Sequence, residues 1–137
     1  MIQQILWIAG SAIFLILGSL HLYYTFFSNK FLSRNEKVME EMKSSHMILT
    51  RETTMWKAWI GFNASHSLGI MFIGAVNIIL ATEYFSIMKN SVTLMGLTIL
   101  VAVIFMWLAK KYWFHIPFRG VVISLICFIT SFILSLT

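Results

Sequence analysis

Four stretches of the chain are apolar for long enough to cross a bilayer, and the polar residues inside them are spaced helically. Residues 5–27, 56–81, 92–109 and 117–136 each approach or exceed the roughly 20 residues that a ~30 Å hydrocarbon core requires of a helix. At 100° per residue the first span places Trp7, Gly10, Phe14, Gly18, His21 and Thr25 on one face. That face holds most of the span's small and polar side chains, so it should look inward. Tyr23 and Tyr24 mark its interfacial end. The opening Met-Ile-Gln-Gln lacks the basic n-region of a secretory signal, which predicts a retained span.

The second span is the one the chain is organised around. Gly61, Ser65 and Gly69 form a small-residue ridge on one side, suited to close approach by another helix. Asn63, His66, Gly74 and Asn77 lie on the other, and their polar groups need partners inside the protein because lipid offers none. The third span is the most lipid-like. In the fourth, Gly120, Ser124, Cys127, Ser131 and Ser135 line a second ridge. These ridges also admit a second copy of the chain or another membrane protein as partner.

Between the first two spans, residues 34–52 predict an amphipathic surface helix. Ser33-Arg-Asn-Glu36 matches a capping box, and no Gly or Pro follows until Gly61. Val38, Met42, Ser45 and Leu49 make a weakly apolar stripe. The helix either lies on the membrane with a break near Thr53-Thr54, or continues into the second span. The other links are a short polar stretch, 86–90, and the basic aromatic turn from Lys110 to Gly120, which holds the only proline.

Composition agrees with this reading. Of 137 residues, 59% are hydrophobic and 11% charged, where an ordinary soluble domain is about 25% charged. Outside the spans only one connection is long, residues 28–55, too little for a separate soluble domain, so a single four-span membrane domain of all-α class is expected. Nine of the ten Lys and Arg residues fall in the 28–57 segment or the 110–119 turn, and only Lys89 in the second link. The positive-inside rule makes the first side cytoplasmic and both termini extracytoplasmic, in a cytoplasmic (inner) membrane. The net charge of +5 is then accounted for by topology and by anionic lipid, without a nucleic acid.

Depth brings the polar residues together. His21 lies ~9 Å, and His66 and Cys127 ~15 Å, inside the cytoplasmic boundary at a rise of 1.5 Å per residue, with His115 at the interface above. His21, Asn63 and His66, with Ser67, Ser124, Cys127 and His115 in reach, can therefore line one pocket. Charging His66 at that depth would be unfavourable by roughly a few kcal/mol or more, so a neutral imidazole is expected. Two neutral imidazoles on different helices suit axial ligation of haem, with Asn63 lining the site and Gly18 leaving room. A metal site of His21, His66 and His115 is a second reading. A third is structural, with the His and Asn serving helix packing in an accessory subunit of a larger complex. No Asp or Glu lies inside a span, and Gly-rich phosphate loops, CxxC and HExxH are absent. Proton-coupled carriers and triad hydrolases are thereby disfavoured, and ligand binding is the activity the sequence points to.

Overall fold

A computed structural model describes residues 1–136. Among them are six helices: α1 Ile2–Phe27, α2 Glu36–Ser44, α3 Met55–Glu83, α4 Phe85–Lys89, α5 Val92–Tyr112 and α6 His115–Leu136. The all-α class holds, and α1, α3, α5 and α6 are each long and apolar enough to cross a membrane. Of the four, α5 is the most apolar and α3, which carries the polar groups, the least. The spans extend slightly past the expected limits, chiefly where Lys110, Lys111 and Tyr112 continue α5 beyond residue 109. Pro117 sits in the first turn of α6, where its missing N–H costs no helical hydrogen bond.

The chain divides into two compact units, Met1–Leu17 with the chain from Ile70 onward, and Gly18–Gly69. The first unit packs the N-terminal part of α1, the C-terminal part of α3, α4, α5 and α6 around Trp7, Phe14, Met88, Met95 and Phe128. Trp7 and Phe128 meet with ring centroids 4.8 Å apart, and Phe14 and Phe105 meet nearly perpendicular at 5.7 Å. Polar residues knit this unit through backbone carbonyls. Ser124 Oγ donates to Gly10 O at 3.0 Å, Ser131 Oγ to Gln3 O at 2.7 Å, and Gln4 Nε2 to Ala81 O at 2.8 Å. The α6 ridge thus lies against α1 through Ser124 and Ser131. Asn77 joins three helices: its Oδ1 accepts from Trp7 Nε1 at 3.0 Å and Thr98 Oγ1 at 3.1 Å, while its Nδ2 donates to Ile73 O. The link expected as polar over 86–90 is instead the helical turn α4, because Phe85 and Met88 both pack on the core.

Close helix approach falls on a different residue from the one the ridge pattern singles out. A Cβ on Gly74 would lie 2.7 Å from Leu15 N and 2.8 Å from Ser11 O, so α1 backbone rests directly on this glycine. At Gly61 and Gly69 an added Cβ would meet nothing within 4 Å. The Gly61–Ser65–Gly69 ridge is therefore exposed, with no described atom close enough to meet a Cβ at either glycine. The close helix approach expected at this ridge is thus made at Gly74 instead.

The second unit contains the C-terminal end of α1, α2 and the start of α3. Here α2 is shorter than the expected 34–52 helix. Its N-cap is Asn35, not Ser33: Asn35 Oδ1 accepts from Lys37 N at 3.1 Å, and Ser33 Oγ accepts from Asn35 N. The capping box is replaced because asparagine two residues later caps equally well. Glu36 in the first turn and Lys43 in the last suit the helix dipole. The residue α2 buries is Met39, while Val38 and Leu49 of the expected stripe are exposed. The chain leaves the helix at Ser45, and α3 starts only at Met55, capped by Thr54 Oγ1 accepting from Lys57 N at 3.3 Å. Of the two arrangements left open by the sequence, continuation into the second span is ruled out, since α2 and α3 are separate helices.

Candidate functional site

Three of the polar residues that the sequence places at similar depth do meet, all within the second unit. Asn63 faces inward from α3, 8% exposed, on the turn after Trp59. Its Nδ2 donates to Trp59 O at 2.8 Å, which turns Oδ1 away from its own helix and towards α1. There His21 Nε2 lies 3.0 Å from Asn63 Oδ1. An amide oxygen only accepts, so this contact assigns a proton to Nε2 of His21, and of the two neutral tautomers it selects the one with the lone pair on Nδ1. Thr25 Oγ1 donates to the His21 carbonyl at 2.8 Å, and Ser67 Oγ to that of Asn63 at 2.8 Å. Both hydroxyls thereby satisfy themselves on their own helices.

His66, one helical turn beyond Asn63, stands against His21 with ring centroids 5.6 Å apart and planes at 76°. Phe31, from the segment after α1, covers His21 on another side at 4.6 Å. Tyr24 packs near the same phenyl ring and carries the Lys30 ammonium 3.9 Å from its own ring centre. The result is a half-buried pair of imidazoles, one with its tautomer set by an asparagine and one face closed by an aromatic ring.

The remaining candidates sit in the first unit. Ser124 is buried and committed to Gly10 O, Cys127 is a half-buried free thiol, and His115 is exposed at the start of α6. Among the described residues no three or more His, Cys, Asp or Glu side chains are grouped to hold a metal ion. The metal reading with His115 as third ligand is not carried further. His46 belongs to the loop after α2, where its Nδ1–H donates to Thr53 O at 3.1 Å.

Haem ligation between His21 and His66 would require both rings to aim a nitrogen at one iron from opposite sides. In this structure Nε2 of His21 is aimed at Asn63, and the two rings meet edge to face. Axial ligation through Nε2 of His21 would require that ring to leave Asn63. A ligand reached through Nδ1 of His21 would leave the Asn63 bond intact. Phe31 is the part of the site that sequence reasoning missed; it lies ten residues beyond His21, past the end of α1, so helical spacing gives it no register with the histidine.

No protein-family model matches the chain, and no curated protein or solved structure matches it either.

Proposed function

We propose that the chain is a small integral membrane protein that binds a ligand at His21, Asn63 and His66. The observation that supports this is the contact of two imidazoles from α1 and α3, one of them with its tautomer assigned by Asn63. The His21–Asn63 bond alone would tie the two helices; the second imidazole adds ligating nitrogens at a depth where ionisable groups are costly and mark function by default. The ligand class is one that takes a neutral imidazole nitrogen, either a metal-centred group such as haem or a small polar molecule.

The absorption spectrum of the detergent-purified protein, with metal analysis of the same sample, tests the metal-centred case. A Soret band or bound metal lost in both His21→Ala and His66→Ala supports it. A band that persists in both variants removes the pair as its ligands.

A second reading, an accessory subunit of a larger membrane complex, is favoured by the open ridge of Gly61, Ser65 and Gly69. Small residues without an internal neighbour are suited to a helix of another chain.

Orientation belongs to the same proposal. With the basic 28–57 and 110–119 segments in the cytoplasm, both ends of the chain lie outside the cytoplasmic membrane. A phosphatase reporter that folds only outside the cytoplasm should be active when fused after Thr137. Activity confined to a reporter that works only in the cytoplasm would reverse the topology and place the imidazole pair in the opposite half of the membrane.

A further inference from the structure

The loop between α2 and α3 presents apolar side chains outward on a backbone that is closed at its base. Met55 N donates to Ser45 O at 2.9 Å, His46 and Thr54 pair as antiparallel strands do, and His46 Nδ1 reaches Thr53 O. Within the loop Glu52 N donates to Thr50 Oγ1 at 3.1 Å. A loop tied at its ends in this way is a compact Ω-type turn rather than a slack connection. At its tip Ile48 is fully exposed, at 109%, and Leu49 is 89% exposed. Two adjacent branched aliphatics held in water by an ordered turn are unfavourable unless something covers them.

Reach and charge say what covers them. Leu49 is four residues from Ser45, which is hydrogen-bonded to the first residue of α3, so the tip lies within ~14 Å of Ser45 and within ~20 Å of that start even if fully extended. The first turns of α3 carry Trp56 and Trp59, the residue type that settles at the headgroup level. Lys43, Arg51 and Lys57, all exposed, flank the tip before and after it, and Glu52 is the one acidic side chain between them. An apolar tip with basic flanks at the entry of a spanning helix matches anionic lipid, which attracts the cations while its acyl boundary takes the aliphatic groups. We propose that residues 45–55 form a lipid-contacting tip, with Ile48 and Leu49 set into the headgroup–acyl boundary of the leaflet where α3 enters the membrane. Lipid contact thus falls to this loop and not to the Val38–Met42 stripe of α2.

Spin labels test it. In a Cys127→Ser background, which removes the only cysteine, single variants Ile48→Cys, Leu49→Cys and, on exposed α2, Glu41→Cys are labelled and placed in vesicles of phosphatidylcholine and phosphatidylglycerol. The labels at 48 and 49 should lose access to a water-soluble nickel chelate and gain access to oxygen relative to the label at 41. All three being equally open to the chelate would overturn the proposal. So would protection at 48 and 49 that appears only in native membranes, which would mean a partner protein. Protection that vanishes on dilution of protein into lipid would mean a second copy, and would overturn it equally.

Discussion

Gly74→Ala lowers the stability of the detergent-solubilised protein by about 1–3 kcal/mol, and Gly74→Leu by the upper end of that range or more. The cause is backbone against backbone. An alanine Cβ would stand 2.7 Å from Leu15 N and 3.0 Å from Leu15 Cα, atoms that cannot rotate away as a side-chain end can. The whole α1–α3 contact must widen, loosening the neighbouring Trp7–Asn77 bond with it. Gly69→Leu, by contrast, should leave thermal unfolding unchanged, because nothing lies within 4 Å of its Cβ position. Melting of the three variants beside the parent protein in one detergent, followed by tryptophan fluorescence, checks both statements. Equal melting of Gly74→Leu and the parent protein would contradict the packing described.

Asn77→Leu should cost about 1–3 kcal/mol by a different route. The carbonyl oxygen of Asn77 takes hydrogen bonds from Trp7 Nε1 and Thr98 Oγ1, and Trp7 is fully buried. Without it the indole N–H has neither water nor lipid as an acceptor. Thr98 suffers less, since its hydroxyl also reaches Leu94 O at 3.2 Å. Trp7→Phe removes the donor and some packing together, so the bond itself is read from the double variant. The coupling between Trp7→Phe and Asn77→Leu should be near the ~0.6–1.7 kcal/mol found for hydrogen bonds between membrane helices. Strictly additive losses would mean that the bond adds nothing to stability.

How far these features could be read beforehand follows from what helical spacing encodes. The inward face of α1 is legible because Trp7, Gly10, Phe14, Gly18, His21 and Thr25 recur at steps of three and four, and all but the half-buried His21 are buried. The Asn63–His66 side of α3 is legible for the same reason, and a constant rise per residue brings His21 to a similar depth. What periodicity does not encode is whether a face has a neighbour. Gly61, Ser65 and Gly69 have the spacing of a packed ridge, yet the helix contact is made at Gly74 on the polar side. Competition between nearby caps is likewise invisible in a pattern. Ser33 and Glu36 satisfy the capping-box spacing, but Asn35 lies closer to the first turn and takes the role. α2 is shorter than the sequence pattern allows, because the absence of Gly and Pro permits a helix without requiring one. Ser44 and Ser45 are poor helix formers, and Ser45 and His46 take up the pairing that closes the next loop.

The imidazole pair is the centre of the account, and one measurement addresses it whatever the chemical class of its ligand. Native mass spectrometry of protein extracted from its own membranes into a mild detergent reports any bound species as added mass. The parent protein should carry a discrete adduct beyond detergent and lipid. His21→Ala and His66→Ala should each lose it, while Asn77→Leu, away from the pair, keeps it. The bare chain mass for the parent protein, or an adduct indifferent to both histidine substitutions, would contradict a ligand at His21, Asn63 and His66.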